Sequence, residues 1–397
     1  MAKLILATGS SYQLMCYYTS WAKERPTVGS FKIGNIDPCL CTHLICAFAG
    51  MRNNEIINTS EQDLIDYEAL NYLKDRNTEL KTLLAIGGWK FGSAPFSAMV
   101  STPQNRQTFI KQISKFSKIF NFDLSHSDWS FPGPRASPHI DAQQSCPLLH
   151  MQLESRILFA PHGTFSKIDH IIAQKTGLNR YRNIEIIPSG ITIPELKQSF
   201  DYIQVMTYNL HDFQDGYTGE NSPLYQSPFD TGKYAYLNVD AIISYWKENG
   251  AAREKLIVGF PAYGHNFILS DPSNTGIGAP IVSAGPPGKF TGEAGLWAYY
   301  EICTFLNDGA TDLWDGPQEV PYAVQGNVWV GYDNVKSFKI KAQWLKDNKL
   351  GGAMVWPLDM DDFTGSFCHQ GRFPLTSTLK HYLGVQSTSC PAYKEEL

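Results

Sequence analysis

The chemistry this chain could perform is concentrated in one segment, Phe122-Asp123-Leu124-Ser125-His126-Ser127-Asp128-Trp129-Ser130-Phe131-Pro132-Gly133. It reads as a carboxylate-bearing strand end running into Pro-Gly. Residues two apart on a strand share a face, so His126, Asp128 and Ser130 align. A carboxylic acid there could serve as a general acid, a role that typically contributes about 10²–10⁴-fold to a rate. Ser130 offers none of this, because a serine hydroxyl does not release its proton near neutral pH. Asp123 and Asp128 have a plainer reading as caps for a following helix or turn. His126 reads as a polar filler inside the fold, since no second His or carboxylate stands at metal-ligand spacing. No metal and no cofactor is implied.

The chain that must position these residues has 397 of them, 43% hydrophobic and 18% charged, with a net charge of -5. That length suits one large barrel with an insertion. There is no Lys/Arg-rich run, which argues against a nucleic-acid partner. There is no apolar run of 18 residues or more, hence no expected membrane span. Aromatic residues reach 13%. They would either fill a core or pave a sugar-binding cleft, and composition does not separate the two. The 8 cysteines form no Cys-x-x-Cys pair, so disulfides in an exported protein are favoured over zinc. Met1-Ala2-Lys3 followed by Leu4-Ile5-Leu6-Ala7 begins like an export signal. Its apolar core is about four residues, short of the roughly 7–15 required, and it reads as a signal with its middle missing. One glycosylation sequon is present, Asn58-Thr59-Ser60. A monomer is expected.

Short apolar runs alternate with helical stretches, as in βα units around a parallel sheet. Strands are expected at 14–18, 43–49, 80–88, 122–128, 202–207, 256–261 and 352–356, and helices at 103–120 and 240–249. An eighth strand should lie between 131 and 201. Residues 183–187 are its best candidate, with helices at 148–159 and 165–175. A Gly/Pro-rich segment, 275–288, precedes a helix-like stretch at 295–306 and a strand-like one at 328–332.

The catalytic-position segment resembles the signature of family 18 glycoside hydrolases, Asp-Gly-x-x-x-Asp-Trp-Glu-Tyr-Pro-Gly with a further Asp or Asn midway. Leu84-Ala85-Ile86-Gly87-Gly88-Trp89 with Phe91-Gly92, Tyr217-Thr218-Gly219-Glu220-Asn221-Ser222-Pro223-Leu224-Tyr225, and Gly259-Phe260-Pro261-Ala262-Tyr263-Gly264-His265 are similar to mammalian chitinases and their chitinase-like lectins. The resemblance covers nearly the whole chain apart from the N-terminal tail and 134–187.

It implies an α/β fold, a (β/α)8 TIM barrel with a small α+β insertion domain and an atypical fifth βα unit. The expected divisions are a truncated signal-like tail at 1–11, the barrel at 12–263 and 334–390 with a divergent 134–187, the insertion at 264–333 and a tail at 391–397. It implies disulfides Cys16–Cys41, Cys39–Cys390 and Cys303–Cys368, which leaves Cys46 and Cys146 as thiols. In the family the substrate's own N-acetyl carbonyl attacks the anomeric carbon, assisted by a Glu acid and neighbouring Asp residues. Here Asp123 and Asp128 persist, His126 stands at the intermediate carboxylate position and Ser130 at the acid position. Leu124 replaces a Gly, Phe131 a Tyr, and Asn209 an Asp after Met206-Thr207-Tyr208. The resemblance thus implies a secreted pseudoenzyme without catalytic residues. It would bind chitin or N-acetylglucosamine oligosaccharides through Tyr17, Trp21, Phe48, Trp89, Asp128, Met206, Tyr208, Tyr263, Glu293 and Trp356. A weakly active chitinase, or a signalling or matrix protein with a vestigial cleft, are the alternatives.

Overall fold

A computed structural model describes residues 12–88, 90–92, 94–128, 151–155 and 201–390. Its centre is a closed ring of strands. The ring strands are β1 (Gln13–Thr19), β2 (His43–Arg52), β4 (Lys81–Gly87), β5 (Leu124–Asp128), β6 (Met151–Ser155), β7 (Tyr202–Val205), β8 (Leu256–Pro261) and β15 (Gly352–Trp356), with β3 (Glu55–Ile57) hairpinned back onto β2. Pairing of β1 with both β2 and β15 closes the ring. All ring pairings are parallel except those of β6, which runs antiparallel to both β5 and β7.

The ring strands are near-continuous apolar runs because both of their faces are covered. Alternation then sorts them. Met15, Tyr17, Ile45, Ala47, Leu83, Ala85, Ile257 and Met354 fill the barrel interior. Leu14, Cys16, Leu44, Leu84, Ile86, Val258 and Val355 face the outer helical layer.

That layer comprises α1 (Glu61–Tyr72), α2 (Ala94–Val100), α3 (Pro103–Phe120), α4 (Val239–Glu248), α6 (Val335–Asp347) and α7 (Pro374–Leu383). Their starts follow local capping chemistry. Thr102 accepts from Asn105 N at 3.1 Å, Asn238 from Ala241 N at 2.8 Å and Asn334 from Ser337 N at 3.0 Å.

Between β8 and β15 a second sheet is inserted. It is antiparallel, in the order β10 (Ile281–Ala284), β9 (Tyr263–Leu269), β14 (Val328–Gly331), β13 (Val320–Gln325), β12 (Thr311–Asp315), with β11 (Leu296–Ala298) also on β9 and α5 (Tyr299–Asn307) following it. The 295–306 stretch is therefore a short strand followed by a helix, not one helix. Leu296-Trp297-Ala298 is captured by the β9 edge before Glu301, which accepts from Ala298 N at 2.9 Å, starts the helix.

The seven expected ring strands all form. The eighth place is taken by β6, where helix 148–159 was expected. Met151-Gln152-Leu153-Glu154-Ser155 alternates apolar and polar with period two, and it sits between two open edges that need partners. The 183–187 and 165–175 candidates lie outside the described residues, as does Cys146. The three disulfides Cys16–Cys41, Cys39–Cys390 and Cys303–Cys368 form. Among the described residues Cys46 is the free cysteine, and burial pushes its thiol well above the ordinary range. The C-terminal segment is clipped onto the loop before β4, where Thr388 Oγ1 donates to Glu79 at 2.6 Å and Ser387 Oγ to Asn77 at 2.7 Å.

Candidate functional site

The carboxyl ends of the ring strands carry a cluster of aromatic rings. Trp356 ends β15 and meets Tyr17 of β1 edge-on, with centroids 5.0 Å apart. Phe48 of β2 lies 5.9 Å from Trp356 and 6.0 Å from Trp21, stacked on the latter within 21°. Trp21 follows β1 and is 46% exposed, so the cluster opens to solvent at its rim. Gly88, just past β4, has φ +84, and a Cβ there would stand 2.7 Å from the Phe48 ring. Glycine at 88 is what lets that ring sit against the end of β4.

Beneath the rings lies a buried polar chain. His126, at the centre of β5, is wholly buried. The Tyr17 hydroxyl donates to Gln204 Oε1 at 2.9 Å. Gln204 Nε2 in turn donates to Met15 Sδ at 3.3 Å, which fixes the orientation of the amide. The same Tyr17 oxygen lies 2.9 Å from His126 Nε2, within hydrogen-bond distance. Among the described residues His126 Nδ1 has no hydrogen-bond partner. Burial drops the His126 pKa to about 3. The centre of the barrel thus holds a neutral ring.

After β7 the chain turns through Asn209 in the left-handed region, φ +58, where Asn is favoured over most residues. Its Oδ1 accepts from the Tyr263 hydroxyl at 2.6 Å, and its backbone N–H is held by Asn221 Oδ1 at 2.9 Å. The amide oxygen thus keeps the acceptor that a carboxylate would offer, without the charge. Tyr208 packs edge-on to Tyr263 at 6.1 Å and donates weakly to Met354 Sδ at 3.8 Å. Met206 packs against the same cluster. Burial raises the Tyr263 hydroxyl pKa, and the nearby exposed Glu293 raises it further.

Residues 13–361 match the glycosyl hydrolases family 18 pattern. The chain belongs to that family. It is 41% identical over 394 residues to Chitotriosidase-1 of Mus musculus, covering 98% of this chain and 81% of that protein. It is 40% identical over 384 residues to Chitinase-3-like protein 2 of Homo sapiens, covering 96% and 95% respectively. The fold superposes on human YKL-39 with a TM-score of 0.79 at 36% identity, over 94% of this chain and all of that one. That structure is described as a pseudo-chitinase with retained chitooligosaccharide binding properties.

Seven of the residues singled out for sugar contact in this family 18 chain gather in one place: Tyr17, Trp21, Phe48, Met206, Tyr208, Tyr263 and Trp356. Glu293 joins them electrostatically from the insertion. Asp128 ends β5 opposite Gly87. Trp89 and Ser130 lie outside the described residues.

Asp123 is elsewhere. It stands before β5, at the opposite end of the barrel, and is paired with Lys74 at 3.0 Å and Lys81 at 3.5 Å. Thr82 N donates to it at 2.9 Å. Partial burial opposes its ionisation, but the Thr82 and Lys74 hydrogen bonds and both lysine charges hold its carboxyl below the usual range. Its role is to pin β5 to β4.

Two elements of the site were not anticipated from sequence. One is Gln204, a polar residue in the middle of an apolar strand. The other is His211, in the loop after β7. His211 lies between Asp215 Oδ2 at 3.1 Å and Asp230 Oδ2 at 3.5 Å, with its ring beside Tyr217 and Tyr234. Burial alone would lower its pKa. The two carboxylates outweigh that and raise it to about 9, so the ring is a cation at neutral pH. His265 Nδ1, donating to His211 O at 2.7 Å, ties this clasp to β9 of the insertion. A Cβ on Gly219 would fall 2.5 Å from the His211 ring, so the Thr218-Gly219-Glu220 stretch is shaped around it. Among the described residues no helix is long and apolar enough to cross a membrane.

Proposed function

We propose that this chain is a chitinase-like lectin that binds chitin or other N-acetylglucosamine oligosaccharides without hydrolysing them, outside the cell. The observation that carries the reading is the open ring cluster of Trp356, Tyr17, Phe48 and Trp21 set directly above a neutral His126. Flat rings pack on the apolar faces of pyranoses, each contributing on the order of 1 kcal/mol beyond its buried area. Several in a row, together with the apolar area they bury, bring a complex towards the roughly 8 kcal/mol of micromolar binding. Trp89, Asp128, Met206, Tyr208, Tyr263 and Glu293 complete the proposed lining.

Hydrolysis lacks support on three counts. Ser130 occupies the acid position, His126 is uncharged where the family has a carboxylate, and Asn209 offers an oxygen without a negative charge. The description of YKL-39 supplies a precedent for binding without cleavage on this fold. Three disulfides favour an oxidising, extracellular setting.

Titration calorimetry with chitohexaose, beside a fluorogenic chitobioside assay, tests both halves. Expected are measurable heat, no turnover above blank, and at least a tenfold affinity loss in Trp356→Ala, about 1.4 kcal/mol. Absence of heat at millimolar ligand would make the cleft vestigial. Turnover by the unmodified chain would restore the enzyme reading.

A further inference from the structure

We propose that Asn58 is an N-glycosylation site, taking a glycan from a lipid diphosphate-linked oligosaccharide in the compartment where the disulfides form. Asn58-Thr59-Ser60 is the one sequon in the sequence, with no Pro at its centre. It links the end of β3, which closes the hairpin on β2, to the start of α1. Thr59 and Ser60 are exposed and Asn58 half-buried, so a sugar on the amide has room on the outside of the barrel.

The side-chain bonding suits the modification. Asn58 Nδ2 donates one hydrogen bond, to Ser60 O at 2.8 Å. In the transfer Nδ2 attacks the anomeric carbon of the donor sugar. The N–C bond forms, the C–O bond to the diphosphate breaks, the diphosphate leaves with the electron pair, and Nδ2 loses one of its two protons. The second N–H remains, and it can keep the bond to Ser60 O. Thr59 and Ser60 anchor through Asp63, with Thr59 N at 2.7 Å, Ser60 N at 2.9 Å and Ser60 Oγ at 2.9 Å. None of these uses the Asn58 side chain. The second, independent observation is the set of three disulfides, since such bonds persist in the oxidising lumen where this transfer occurs.

The test translates the full chain, fused behind a cleavable export signal and carrying a control sequon at its C-terminus, with microsomes. Because transfer acts on the emerging chain, the readout does not depend on folding. Expected are two peptide N-glycosidase-sensitive mass steps, one of which disappears in Asn58→Gln, with Ser60→Thr keeping or raising occupancy. Conversion of Asn58 to Asp by the glycosidase, seen in the peptide mass spectrum, locates the site. A single step assigned to the control sequon, with Asn58 unmodified, would overturn the proposal.

Discussion

Two histidines, both buried, sit in opposite electrical states about the same strands. His126, inside the barrel, lies beside the Tyr17 phenol, and burial drops its pKa to about 3. His211, in the loop after β7, has a carboxylate at each ring nitrogen, and its pKa rises to about 9. Burial penalises the cation in both, so the difference comes from the partners alone. The barrel thus holds a neutral ring while the loop beside it holds a buried ion cluster.

The largest expected effect breaks the comparison on the acid side. His126 has a depressed pKa, so as pH falls from 6.5 towards 3 the unfolded chain takes up a proton that the folded chain refuses. At roughly 1.4 kcal/mol per unit, this costs on the order of 5 kcal/mol over that window. Denaturant melts of His126→Gln should show a shallower acid limb than the parent, and identical limbs would mean that His126 is charged in the fold.

The next effect has the opposite sign. His211 has a raised pKa, so its contribution is complete below pH 6.5 and disappears as pH rises through 9. His211→Gln should lose about 3 kcal/mol at pH 7, because Asp215 and Asp230 are left without their cation. The variant should also lack the alkaline slope that the parent shows between those pH values. A slope common to both proteins would assign it to another group.

Tyr17→Phe tests the contact that joins His126 to Gln204. It removes the hydroxyl that lies within hydrogen-bond distance of both His126 Nε2 and Gln204 Oε1, and about 2 kcal/mol of stability should go. The imidazole nitrogen shifts of His126 should change with it. Unchanged shifts would mean that the Tyr17 hydroxyl does not bond the ring.

The smallest expected effect is none. Ser130→Glu alone should not give chitobioside turnover, since His126 stays neutral and Asn209 uncharged. Turnover from that single change would show that neither position matters to the chemistry.

Much of the barrel was legible because its strands are buried on both faces and read as apolar runs. All seven predicted ring strands form where those runs stand. The exception is instructive. Met151–Ser155 alternates with period two, but the surrounding apolar residues also fit helical spacing, and five residues cannot outvote twelve. The aromatic cluster was legible through motifs at strand ends. The polar chain beneath it was not, since Tyr17 meets partners 109 and 187 residues away. A glutamine inside the apolar run Tyr202–Val205 was the available signal. Asp123 belongs to the same segment as Asp128 and still lies far from the cleft. Five residues of strand span about 16 Å, enough to carry a side chain from one mouth of the barrel to the other. The His211 clasp joins residues four and nineteen apart, and only the 211–215 spacing was visible locally.

The Cys39–Cys390 bond has a mechanical meaning for the molecule. It makes all the backbone from residue 39 to residue 390 a covalent loop. A protease that cuts this loop once, even in the stretch between β5 and β7, opens it without releasing a fragment. Such a nicked chain would migrate as one band until reductant is added and as two afterwards.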